Sequence, residues 1–236
     1  MRTGAPEVVT LRLLKGFALL VGEQRITLSS SAQRLLAFLA LQDRPRTRSY
    51  VASALWPETT TVRANANLRS SLWRAMRTGY RVIDASAREV ALATNVAVDL
   101  RDAVDRAHRL LDEGYRCDEI LTWETRDELS ADLLPEWSEN EWVLIEQEQY
   151  RQLRLYALEA MAKRLTSAGR HGEAVTAGLV VVRAEPLRES AHRVLIDAHL
   201  AAGNRGAAAQ QFERCRRVLL EELGLEPSDT LRELLP

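Results

Sequence analysis

The chain has 236 residues, 46% of them hydrophobic, and 32 Lys+Arg against 33 Asp+Glu. That length can bury one large core or two smaller ones, and no run approaches the roughly 20 apolar residues a bilayer span requires. The N-terminus lacks the basic-then-apolar order of a signal peptide, so the expected compartment is the cytoplasm.

The near-neutral total hides an asymmetry. Residues 1–98 hold 14 Lys+Arg against 6 Asp+Glu, a net of +8, whereas residues 99–236 hold 18 against 27, a net of −9. A basic N-terminal half calls for a polyanionic partner, and an acidic C-terminal half implies that this partner does not run the length of the chain. Only Lys15 and Lys163 are lysines. Alongside the abundant alanine this resembles the codon bias of a GC-rich genome, so where an arginine sits is more informative than that it is an arginine. The two cysteines, Cys117 and Cys215, stand without metal-ligand spacing and read as reduced structural thiols. His192 and His199 are seven apart but lack a third ligand, and are expected on a helix surface. No metal or cofactor is expected.

In chain order, residues 8–28, "VVTLRLLKGFALLVGEQRITL", alternate partly and are rich in Val, Leu and Ile, with "VGEQ" as a turn; they predict antiparallel strands. "SSSAQRLLAFLALQ" offers a serine N-cap followed by Leu35, Leu36, Phe38 and Leu39, a helix ending before Pro45. Thr47 then caps a short helix, "RSYVASALW", which Pro57 stops. A third helix runs from Arg63 and closes at Gly79, and "YRVI" and "EVALA", joined by "DASAR", predict a β-hairpin.

The third helix carries the strongest functional signal. At about 100° per residue, Ala64, Leu68, Leu72, Ala75 and Met76 share one arc, and Arg63, Asn67, Ser70, Arg74 and Arg77 share the opposite one. One face packs; the other presents guanidinium, amide and hydroxyl groups, which read base edges and grip phosphates. Strands, three helices and a hairpin are the order of a winged helix-turn-helix with an N-terminal sheet. In such folds the helix before the wing enters the major groove and the hairpin reaches the neighbouring backbone or minor groove. Arg81 and Arg88 flank the hairpin where that contact would be made.

After Asp99 the pattern is helical, beginning with "DLRDAVDRAHRLLDE". "SAGRHGEA" recurs as "AAGNRGAA", with Gly169 and Gly203 34 residues apart, the tetratricopeptide period. Pro186 lies 17 beyond Gly169, where such a repeat ends, but Pro227 lies 24 beyond Gly203, which predicts a longer second helix in the second copy. Stacked helix pairs form a surface for partners and carry no chemistry of their own. The expected fold is therefore mainly α with a small β portion: residues 1–98 an α+β winged helix-turn-helix domain, residues 99–236 an all-α tetratricopeptide-like domain.

The order "SAQRLLAFLAL", "VASALWP", "NLRSSLWRAM", "GYRVI", "VDL", "DLLPEWSENEW", "RLYALEAMAKRLTSAGRHGEAV" and "LLEELGLEPSDTLREL" resembles the actinobacterial regulators that include the Streptomyces antibiotic regulatory proteins. Their architecture is an OmpR-like winged helix followed by a bacterial transcriptional activation domain. The resemblance implies a transcription activator that binds direct repeats in double-stranded promoter DNA, as a homodimer or as tandem copies, and contacts sigma or alpha subunit regions of RNA polymerase, often to control secondary-metabolite clusters. By position, Arg63, Asn67, Ser70, Arg74 and Arg77 match the recognition helix, and Arg46, Arg48 and Ser49 match the start of the supporting helix near the phosphates. Many members have arginines where this chain has Ser71 and Trp73, so the target sequence is not expected to be shared. Longer relatives add a nucleotide-binding switch domain, whereas no glycine-rich loop ending in Lys-Ser/Thr occurs in this sequence.

Two other readings compete. The acidic stretch "WETRDELSADLLPEWSENEW", residues 123–142, could supply acid pairs for general acid–base work, but no nucleophile, metal set or cofactor loop accompanies it. A solvated segment with Trp137 and Trp142 as packing anchors accounts for its composition. The second rival is a non-enzymatic interaction module, a tetratricopeptide-like scaffold whose N-terminal half has lost DNA binding, or a ligand-responsive regulator without strong DNA binding. The sequence names no effector.

Overall fold

A computed structural model describes residues 8–112, 114 and 118–234; Cys117 lies outside them. Contacts divide the chain into two compact units, one of Met1–Asp102 with Asp132–Gln149 and the other of Ala103–Ala131 with Tyr150–Pro236. No helix of the described residues is long and apolar enough to cross a membrane.

The first unit opens with strands β1 (Val9–Arg12), β2 (Ala18–Val21) and β3 (Gln24–Ile26), paired antiparallel in registers Val9↔Val21 and Leu19↔Ile26. The predicted turn at Val21 to Gln24 joins β2 to β3. Alternation puts Val9 and Leu11 into the core, where both are buried, while Arg12 faces out. Helix α1 (Ser30–Ala40) buries Leu35, Leu36 and Leu39. Its N-cap, Ser29, has extended backbone but makes no side-chain cap bond. Strand β4 (Arg46–Thr47) leads into α2 (Arg48–Leu55), whose cap Thr47 accepts from the Tyr50 amide as expected. Helix α3 (Thr61–Met76) starts two residues earlier than the sequence suggests because Thr60 caps it. Gly79 turns the chain at a φ of 81°, which glycine adopts without strain.

Strands β5 (Ile83–Ala85) and β6 (Glu89–Leu92) form the hairpin, and β4 adds to β6 to make a three-stranded wing. The first strand lies later than predicted: Tyr80, Arg81 and Val82 precede it. Strand β7 (Val96–Val98) then returns parallel to β1, completing a sheet of order β3-β2-β1-β7.

Asp99 fastens that return. Its carboxylate accepts from the amides of Leu13 (2.8 Å), Leu14 (3.1 Å) and Leu100 (2.8 Å), so one side chain terminates the β1 region and starts helix α4 (Asp99–Leu111). Residues 132–149 belong to the same unit. The Lys15 amide donates to the Asp132 carbonyl and the Leu134 amide to the Leu13 carbonyl, both at 2.9 Å. The two tryptophans are packing anchors as expected: Trp137 stacks on Phe17 at 5.9 Å, and Trp142 meets both Trp137 and Phe38 edge-on.

The second unit is helical. A 3-10 turn (Asp118–Ile120) and α5 (Trp123–Leu129) precede the 27-residue α6 (Glu141–Ser167), which belongs to this unit from Tyr150 onward, followed by α7 (His171–Ala184), α8 (Glu189–Ala201), α9 (Arg205–Leu223) and α10 (Asp229–Arg232). Gly169 and Gly203 turn equivalent corners at φ of 75° and 78°. As the displaced proline predicts, α9 is longer than α7, at 19 residues against 14. Helix α7 packs on α8 and α8 on α9. The α7–α8 approach is close: a Cβ on Gly178 would lie 3.2 Å from Leu195 Cβ. Cys215 is a free, buried thiol in the α9 core with Ile196, Ala208, Leu219 and Leu231; burial raises its pKa to about 11, which keeps it an inert structural thiol.

His192 corrects the surface expectation. It is 1% exposed, with Nε2 2.8 Å from the Pro186 carbonyl and Nδ1 2.7 Å from Gln211 Nε2. The carbonyl can only accept, so Nε2 donates and Nδ1 receives the Gln211 amide proton: a neutral imidazole joining α8 to α9. Periodicity misses this because polar residues enter a core once their partners are supplied by another element.

Candidate nucleic-acid interface

Helix α3 is held by one stripe. Ala64, Leu68, Ser71, Leu72 and Ala75 are buried, and α3 packs against α1 and α2. Met76, placed in the packing arc by sequence, is instead 51% exposed. The buried stripe includes Ser71, on the side away from Met76, so the helix is rotated from the expected orientation by about 30° at 100° per residue. Ser71 is small enough to sit against neighbouring helices, and that decides the rotation.

The consequence for the polar arc is unequal. Arg63, Ser70, Arg74 and Arg77 are exposed, while Asn67 is only half-exposed. Arg74 Nη1 donates to the Ser31 hydroxyl at 3.1 Å, which aims it at the start of α1. The Arg77 guanidinium lies over the Trp73 ring, 4.7 Å from its centroid. The rotation brings two residues outside the predicted set, Arg69 and Trp73, onto the solvent face. Counting Ser71 with the apolar arc would have revealed both. No acidic residue occurs within Thr61–Met76.

The supporting elements divide similarly. Arg48 Nη1 donates to the Ser86 carbonyl at 3.0 Å and its amide to the Arg88 carbonyl, tying the start of α2 to the tip of the wing. This leaves the charge of Arg48 without a carboxylate. Arg46 is more occupied: Nε donates to Gln42 at 2.7 Å, Nη2 reaches Asp43, and the guanidinium lies over Tyr50. Ser49 is exposed, its hydroxyl 3.3 Å from that of Thr47. On the hairpin, Arg88 is exposed, whereas Arg81 is engaged by Asp84 at 2.7 Å, which raises its pKa through that hydrogen bond and charge. Arg48, Arg88 and the α3 arginines are thus cations without carboxylate partners among the described residues, as phosphate and base contacts require.

A winged helix-turn-helix bearing an arginine-rich, acid-free third helix, followed by an all-α domain, defines the architecture of a transcriptional regulator. Residues 83–235 match the model of the bacterial transcriptional activator domain, and the chain belongs to that family. It is a regulator similar to the Streptomyces antibiotic regulatory proteins. It is 28% identical to the regulatory protein AfsR of Streptomyces coelicolor and 26% identical to AfsR of Streptomyces griseus, with 90% of this chain covered in each case. The chain spans 22% and 23% of those proteins' lengths. The structure of Mycobacterium tuberculosis EmbR in complex with a low affinity phosphopeptide superposes with a TM-score of 0.75 at 19% identity, over 97% of this chain and 64% of EmbR. That likeness concerns the fold.

Proposed function

We propose that the protein is a sequence-specific, DNA-binding transcriptional activator. It binds direct repeats in promoter DNA through residues 1–98 and recruits RNA polymerase through residues 99–236, controlling secondary-metabolite genes. The observation that carries this reading is α3, which presents Arg63, Arg69, Arg74 and Arg77 with no acid among its residues while a leucine spine fixes its other side. Arg63, Asn67, Ser70, Arg74 and Arg77 are proposed to face base edges. Arg46, Arg48, Ser49, Arg81 and Arg88 are proposed to meet the flanking backbone, Arg46 and Arg81 after leaving their present carboxylates.

Because residues 132–149 pack within the N-terminal compact unit, the test uses the full chain. Bound fragments are selected from genomic DNA, and affinity for the selected duplex is measured by fluorescence anisotropy across a salt series. Arg74→Ala is expected to cost about 1–3 kcal/mol on the selected duplex and little on a scrambled one, as a base contact does. Arg48→Ala is expected to weaken both duplexes alike and flatten the log–log salt slope by roughly one unit. A folded full chain that retains no duplex at low salt overturns the reading.

A further inference from the structure

The rotation of α3 changes which residues stand outermost. Opposite the buried stripe lies a ridge of Val62, Arg69, Trp73 and Arg77, spaced at seven, four and four residues, with Met76 beside it. Three of these side chains are large, apolar and exposed: Val62 at 79%, Trp73 at 58% and Met76 at 51%. One exposed apolar residue on a surface needs no explanation. Here they are lined up on the most accessible face of a helix that otherwise carries arginine and no acid, and apolar groups set among unpaired cations suit a partner that offers both negative charge and apolar contact. The major groove of DNA is such a partner, since thymine projects its C5 methyl there between two phosphate backbones.

We propose that Trp73 is a specificity-determining residue whose indole packs on a thymine methyl. The proposal rests on the DNA-binding reading above and deepens it. The stacking of Arg77 on Trp73 at 4.7 Å supplies the second half of the device. With its guanidinium held over the indole, Arg77 retains N–H donors for a neighbouring base or phosphate and gives up less rotamer freedom on binding. Trp73 also excludes water from that contact, while Arg69, one turn earlier on the same face, lies where it can grip the backbone. Arg74, drawn towards Ser31, is by contrast at the margin of this ridge.

The experiment uses the full chain and its selected duplex. Each thymine is replaced singly by deoxyuridine, which removes only the C5 methyl, and affinity is measured for wild type, Trp73→Ala and Trp73→Phe. In wild type, one thymine per half-site is expected to show a loss of about fourfold on demethylation, the worth of one buried methyl-sized group. Trp73→Ala should bind the thymine and uracil duplexes equally at that position, and Trp73→Phe should restore part of the difference. Thermal melting checks that the variants fold, as an exposed side chain permits. If wild type binds tightly yet no single demethylation changes affinity, or if Trp73→Ala keeps the full thymine preference, the proposal is overturned while DNA binding stands. If Trp73→Ala alters only self-association, the ridge is a contact between copies and the proposal is equally overturned. Absence of any duplex affinity in wild type removes both readings together.

Discussion

Arginine has two different fates in this molecule. In the C-terminal unit Arg106 pairs with Glu128, Arg151 with Glu185, Arg170 with Glu173, Arg188 with Glu159 and Arg216 with Glu226. There guanidinium groups join helices: Arg170 also donates to the Leu121 carbonyl at 2.9 Å, and Arg154 to the Ser130 carbonyl at 2.9 Å. On α3, Arg63 and Arg69 face solvent with no carboxylate within ion-pair distance among the described residues. The +8 and −9 halves therefore differ in what their arginines do as well as in total charge. Where acids are plentiful many arginines serve cohesion, although Arg183, Arg205, Arg214 and Arg217 stay exposed there; on α3, which carries no acid, they are left available to a partner. Pairing distinguishes the two roles better than abundance, in a chain with 30 arginines.

The comparison breaks most sharply at the buried pair. Arg188 Nε donates to Glu159 Oε1 at 2.6 Å, the Ser190 hydroxyl donates to the same oxygen at 2.7 Å, and both charged side chains are largely buried. Removing one member leaves an uncompensated charge in a low-dielectric site, so Glu159→Ala should destabilise the helical unit by about 3–5 kcal/mol. Urea unfolding followed by far-ultraviolet circular dichroism measures this. A loss under about 1 kcal/mol would place the pair with ordinary surface ion pairs and weaken the contrast.

A smaller effect follows from His192. Burial lowers its pKa, so the folded protein resists a proton that the unfolded chain accepts. The unfolded state then binds more protons as pH falls, and stability that is complete above the ordinary imidazole range is lost on acidification through and below about 6.5. The slope cannot exceed about 1.4 kcal/mol per pH unit for one proton. Urea midpoints between pH 8 and pH 5 should fall in wild type and fall less in His192→Gln. Parallel curves for the two proteins would assign the acid sensitivity to other groups.

How much of this was legible beforehand depends on the range of the interactions. The three helices, the capping by Thr47, the 34-residue repeat and the longer α9 follow from local periodicity and turn chemistry, and all are present. Strands β4 and β7, of two and three residues, are too short to carry a period and exist only through pairing with β6 and β1. The attachment of residues 132–149 to the first unit is equally non-local. Trp137 and Trp142 announce packing, but nothing in their neighbourhood names Phe17 and Phe38 as partners. On α3, the wheel identified an apolar side and a polar side but missed the rotation, because one buried serine among apolar neighbours outweighs an exposed methionine only when the facing helices are known. Arg69 and Trp73 were hidden by that single residue.

The smallest effect on stability is expected at Arg69, and it sharpens the comparison from the other side. Arg69 lies in the interior of α3, where alanine is at least as good a helix former, and it faces solvent without an ion-pair partner to strand. Arg69→Ala should therefore change unfolding free energy by no more than about 0.5 kcal/mol, whereas an arginine used for cohesion could not be removed so cheaply. The same substitution should lower affinity for every duplex and reduce the salt slope by about 0.9, the contribution of one phosphate contact. Measuring unfolding and binding on the same preparations separates the roles. A marked loss of stability with unchanged binding would show that Arg69 serves the fold, and the division between paired and available arginines would fail at the helix where it matters most.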